Sequence, residues 1–126
     1  MKQAMYYDKI ENSKVHCYLC PHNCVIKPNG IGVCRARKNI DGELYSLNYG
    51  KITSASLDPM EKKPLYRFHP GSSILSVGTF GCNMKCSFCQ NCTIALSYPD
   101  TEDITSQELI ERAVELKSRG NIGLAY

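Results

Sequence analysis

The chain has 126 residues, 43% of them apolar and 21% charged, with a net charge of +3. That mix argues against a disordered chain and suits one modest core. The basic excess is thin, with Lys62, Lys63 and Arg67 the nearest thing to a cluster, and so argues against a nucleic-acid partner.

The start, "MKQAMYYDKIEN", has no apolar run behind its basic residue and does not read as a signal peptide. No apolar stretch approaches the length of a membrane span, so no membrane association is expected. The expected setting is the cytoplasm, where thiols stay reduced and disulfide frameworks are rare. Eight cysteines in that setting point to metal.

Residues 15–57 read as short strands and turns. "VHCYLCPHNCVIKPNGIGVC" mixes β-formers with the breakers Pro21, Pro28, Gly30 and Gly32. Asp41-Gly42 then predicts a tight hairpin turn. Cys17-x2-Cys20-x3-Cys24, followed by Cys34, has the spacing of a four-ligand site. Zinc or a second iron–sulfur cluster would both suit it, and free buried thiols are the plain alternative. His22 stands among the four as a spare ligand. So few long apolar runs leave this stretch short of core, and a metal would supply stability. Residues 1–57 are therefore expected to form a Cys-rich metal-binding module. Residues 58–72, "DPMEKKPLYRFHPGS", read as a proline-rich linker.

Residues 73–126 predict a strand–loop–helix–strand unit. "SILSVGT" (73–79) suits a buried strand. Thr105 and Glu108 form a capping box, and Leu109, Ile110, Ala113, Val114 and Leu116 lie at helical spacing. Gly120 suits the position past the helix end, and "IGLAY" (122–126) reads as a second, parallel strand. Two parallel strands and one helix cannot cover both faces of a sheet, so the expectation is an N-terminal fragment of a longer protein.

Between the first strand and the helix stands "GTFGCNMKCSFCQNC". Cys82-x3-Cys86-x2-Cys89 puts three thiolates on one tight loop, able to hold three irons of a single 4Fe–4S cube. The first interval of three fits neither the usual zinc pairs nor the ferredoxin run. Phe88 places an aromatic beside the cluster, and Gly81 lets the backbone turn sharply. Asn83, Lys85, Gln90 and Asn91 are loop polars able to hydrogen-bond a cluster or its ligand. Cys92 is ambiguous. It either closes the cube as a fourth ligand, in Cys86-x2-Cys89-x2-Cys92, or packs as a small apolar residue.

C-x3-C-x2-C with an aromatic before the last cysteine resembles the signature of the radical S-adenosylmethionine (SAM) enzymes. "CYLCPHNCVI", "GIGVCRAR", "YGKITSASLDPMEKKPLYRFHPGS" and "GTFGCNMKCSFCQN" together resemble members of the AmmeMemoRadiSam type, relatives of the pyruvate formate-lyase activating enzyme. The resemblance implies an α/β fold: the start of a partial TIM-like (β/α) barrel over residues 73–126, preceded by the small Cys-rich β module. It implies that Cys82, Cys86 and Cys89 each ligate one iron and that SAM chelates the fourth. Phe88 would lie against the adenine, with Gly81 and Asn91 also at the cofactor. The implied activity is that of an oxidoreductase cleaving SAM to a 5′-deoxyadenosyl radical that abstracts hydrogen from a substrate, protein or small molecule. The implied partners are a ferredoxin or flavodoxin as one-electron donor and companions of the Memo-like and AMMECR-like families. Cys92 departs from the pattern, since the family carries an aromatic after "CQN". Two rivals stand beside this reading: a two-cluster electron-transfer protein and a two-zinc structural or nucleic-acid-binding module.

Overall fold

Short strands punctuated by positive-φ turns dominate the chain, as its frequent glycine, asparagine and proline residues dictate. The computed structural model describes residues 1–126 and divides them into two units, one of Met1–Tyr49 with Phe80–Pro99 and one of Gly50–Thr79 with Asp100–Tyr126.

The first unit holds six strands: β1 (Lys2–Gln3), β2 (Tyr7–Ile10), β3 (Lys14–Cys17), β4 (Cys24–Ile26), β5 (Arg37–Ile40) and β6 (Glu43–Ser46). They form two antiparallel sheets, ordered β2-β3-β4 and β1-β6-β5. Strand alternation turns Val15 and Cys17 inward, where they join Ile26 and Leu44 in one core. The predicted hairpin turn is present, with positive φ at both Asp41 and Gly42. Asn39 is fully buried beside it, and its side chain ties three segments together. Its Nδ2 donates to the carbonyls of Ser13 (2.8 Å) and Ile26 (2.9 Å), and its Oδ1 accepts the Gly42 N–H (2.9 Å).

The second unit contains β7 (Lys51–Ile52), β8 (Ser54–Pro59) and β9 (Ser73–Gly78). After the chain's return through the first unit, where it forms the single turn α1 (Cys92–Ala95), come β10 (Glu102–Asp103), the helix α2 (Ser106–Glu115) and β11 (Asn121–Ala125). The capping box forms as expected: Thr105 Oγ1 accepts the Glu108 N–H (3.2 Å), and Glu108 Oε2 accepts the Thr105 N–H (2.7 Å). Gly120 takes the left-handed conformation after a 3-10 continuation to Arg119. Of the predicted apolar stripe, Leu109, Ala113 and Leu116 pack on Ile52, Leu75, Val77 and Ile104, while Ile110 and Val114 stay exposed. Asn121 fastens helix to sheet, its Nδ2 donating to the Ala113 carbonyl (2.7 Å) and its Oδ1 accepting the Leu75 N–H (2.8 Å). Residues 58–72 fold back on themselves, with Met60 buried and its N–H donating to the Ser72 carbonyl (2.9 Å).

These elements correct the expected α/β class. The chain is a small sheet-rich protein, with eleven short strands in four sheets and one substantial helix, and no start of a TIM-like barrel is evident. A barrel of that kind places parallel neighbours on both sides of each strand. Here β11 does run parallel to β9, but the other edge of β9 is taken by β8, antiparallel from Ser54↔Gly78 to Pro59↔Ser73.

Within that antiparallel pair Asp58 is nearly buried. Its carboxylate accepts from Lys62 Nζ (2.8 Å), Ser56 Oγ (3.1 Å) and Lys63 Nζ (3.3 Å). Lys62 foremost holds the carboxyl far below the usual carboxylate range. A depressed carboxyl contributes stability above its unfolded-state pKa, about 3.9, and loses it as pH falls toward the folded-state value. Thermal unfolding followed against pH is therefore expected to show a falling Tm below about pH 4. Asp58→Asn should lower Tm at neutral pH and flatten that dependence; equal slopes in both proteins would refute the role of Asp58.

Candidate metal centres

Both cysteine groups lie within the first unit. Cys17 ends β3 and Cys24 begins β4, and the two are direct cross-strand partners. The turn between them carries Cys20, whose carbonyl accepts the Asn23 N–H (3.1 Å), with Asn23 at positive φ. Cys34 arrives from the loop between β4 and β5, in a turn closed by the Arg35 N–H on the Gly32 carbonyl (2.9 Å). Cys17, Cys20, Cys24 and Cys34 line one cavity of about 260 Å³, together with His22 and Arg37. The guanidinium of Arg37, held by the Ala36 carbonyl (3.0 Å) and Ser46 Oγ (2.9 Å), sets a positive charge on a wall otherwise rich in thiols.

The second group sits on a loop of successive turns. The Cys89 N–H donates to the Cys86 carbonyl (3.2 Å), and the Cys92 N–H donates to the Cys89 carbonyl (3.3 Å). The Met84 N–H points at Cys82 Sγ (3.4 Å), a donor suited to a sulfur carrying negative charge. Asn91 caps α1 through its backbone, its carbonyl accepting from Ile94 (3.1 Å) and Ala95 (2.9 Å), which leaves its side chain exposed. Phe88 is 87% exposed, an aromatic face with nothing packed over it. Cys92 is exposed and fills no core position, whereas Phe80 is buried edge-on to Tyr98.

The loop is seated on the first cysteine group. The Cys82 N–H donates to the Cys34 carbonyl (3.2 Å), and the Gly81 N–H to the Ile94 carbonyl (3.0 Å). A Cβ on Gly81, at φ +91°, would stand 2.7 Å from the Cys34 carbonyl oxygen and 3.0 Å from Ala36 Cβ. Gly81 is therefore more than a turn residue, since only glycine allows this approach. His22 Nε2 lies 2.6 Å from the Asn83 carbonyl oxygen. The sequence offered no signal for Arg37 at the thiol cavity or for the His22–Asn83 contact, because both depend on segments distant in the chain.

All eight cysteines are free, and no three Cys, His, Asp or Glu side chains stand close enough to hold a metal ion. The donor chemistry nonetheless fits a thiophilic metal at the first group: four sulfurs on one cavity with a cation in its wall. At the second group it fits a cluster, with three thiols on one short loop and an N–H directed at the Cys82 sulfur.

No protein-family model matches the chain. No solved structure matches it either. It is similar to Uncharacterized protein MJ0808 of Methanocaldococcus jannaschii, with 42% identity over 123 residues, 95% of this chain and 37% of that protein. The chain thus spans little more than a third of the length of the curated relative it matches. No helix is long and apolar enough to cross a membrane.

Proposed function

We propose that the chain carries the cluster-binding part of a radical SAM enzyme of the AmmeMemoRadiSam type. The observation that supports this most is the loop itself. Cys86 and Cys89 close one tight turn beside an uncovered Phe88, and Cys82 precedes them on a backbone seated through Gly81. The chemistry a 4Fe–4S cluster with one open iron supplies is one-electron cleavage of SAM, giving a 5′-deoxyadenosyl radical that takes hydrogen from a substrate. The chain's own residues would hold three irons through Cys82, Cys86 and Cys89. Met84 N–H would hydrogen-bond the Cys82 sulfur, and Phe88 would offer its face to the adenine. Cys17, Cys20, Cys24 and Cys34 would hold zinc or a second cluster. A ferredoxin or flavodoxin would supply the electron in the cytoplasm, and Memo-like and AMMECR-like companions follow from the same resemblance.

Cys92 supports a second reading, a two-cluster electron carrier, because its N–H repeats on Cys89 the turn that Cys89 makes on Cys86. EPR of the anaerobically reconstituted, reduced chain, with and without SAM, separates the two. The enzyme reading expects SAM to change the signal of the second-group cluster, because one iron is open. An unchanged signal would instead favour four cysteine ligands.

A further inference from the structure

We propose that His22 is a positioning residue. Through it and Cys34, metal bound at the first cysteine group would set the geometry of the Cys82–Cys92 loop. The proposal rests on the reading that Cys17, Cys20, Cys24 and Cys34 hold a metal.

The contacts run in pairs. His22 sits in the turn between Cys20 and Cys24, and its Nε2 meets the Asn83 carbonyl at 2.6 Å. A carbonyl oxygen can only accept, so Nε2 carries the hydrogen and donates it. Cys34, which also lines the cavity, accepts the Cys82 N–H through its carbonyl at 3.2 Å. Asn83 itself lines the cavity. Two adjacent residues of the loop are thus held by two segments that the first cysteine group would bind together.

The two turns themselves are closed by few hydrogen bonds, although paired backbone flanks each of them. The Cys20–Asn23 turn is closed by one backbone hydrogen bond, and Cys34 lies within the turn that the Arg35 N–H closes on the Gly32 carbonyl. Closing four sulfurs on one ion fixes both segments at once, and with them the anchor points of Cys82 and Asn83. The Cys34 carbonyl that holds Cys82 and the His22 ring that holds Asn83 both belong to segments of the first group.

The test uses the chain with Cys86→Ser and Cys89→Ser, which leaves the first group as the one complete set of four beside Cys82 and Cys92, and Zn²⁺ as the probe. Zinc stoichiometry is measured beside amide hydrogen exchange at Cys82 and Met84. One zinc per chain is expected, with exchange at both amides slowed about tenfold. Adding His22→Ala should leave the zinc bound and remove the protection. His22→Gln, whose amide N–H can reach the Asn83 carbonyl, should restore it. Zinc bound with exchange unchanged would overturn the coupling and leave the metal site standing. No zinc bound would overturn a zinc site at the first group, and the proposed coupling with it. Loss of zinc in His22→Ala would make His22 a ligand and overturn its positioning role.

Discussion

Cys86→Ala is expected to leave the anaerobically reconstituted chain without its second-group cluster, whereas Cys92→Ala should keep it. The asymmetry follows from the roles assigned to the sulfurs. Cys86 stands in the middle of the Cys82–Cys89 set, and its carbonyl closes the turn that presents Cys89. Alanine keeps that carbonyl and removes only the sulfur, so the change tests ligation rather than folding. A cube with two protein thiolates left has lost one of three anchors, and about four irons per chain should go with it. Cys92 is exposed, opens the short α1 and touches no core. Its removal should leave iron content and the reduced EPR signal within error of the parent. Loss of the cluster in both variants would assign four ligands, close the cube and replace the enzyme reading with the electron carrier. Full iron in Cys86→Ala would remove the second group from cluster binding altogether.

Gly81→Ala is expected to unseat the loop without touching any sulfur. Two costs combine. A non-glycine residue held at φ +91° costs about 1–2 kcal/mol against its preferred conformations. The added Cβ also falls 2.7 Å from the Cys34 carbonyl oxygen and 3.0 Å from Ala36 Cβ, so backbone must move, with no flexible side-chain end to give way. The bond that shift breaks first is the Cys82 N–H on that same carbonyl. Reconstitution should then yield well under half the parent's second-group iron, while the core of Val15, Cys17, Ile26 and Leu44 stays folded. Amide exchange separates the outcomes, with Cys82 losing protection and the β3 amides keeping theirs. Normal iron loading with a protected Cys82 amide would show that the close approach is dispensable.

The features legible in the sequence are those governed by neighbours in the chain. Thr105 and Glu108 cap a helix because their side chains and N–H groups lie three residues apart. Asp41-Gly42 turns a hairpin because both residues tolerate positive φ. Cys17, Cys20 and Cys24 reach one cavity because a short turn joins two paired strands, and Cys34 follows within one loop. The parallel pairing of β9 with β11 also answers to a local pattern, a strand, a helix and a strand in succession.

Pairing between distant segments was out of reach. Whether β8 pairs with β9 depends on a register spanning Ser54 to Gly78, and β8 carries Ala, Leu, Asp and Pro in no pattern that announces a strand. That antiparallel edge made the sheet mixed and overturned the barrel. Only tertiary contact could show residues 80–99 packing with residues 1–49, and Arg37 on the thiol cavity. By itself the sequence determined which thiols are on offer and at what spacing, since residue type and order are covalent facts of the chain. The folded structure decided what holds those atoms in place: the Cys34 and Asn83 carbonyls, the His22 ring and the absent side chain of Gly81. Such contacts arise between residues tens of positions apart, where no local propensity acts.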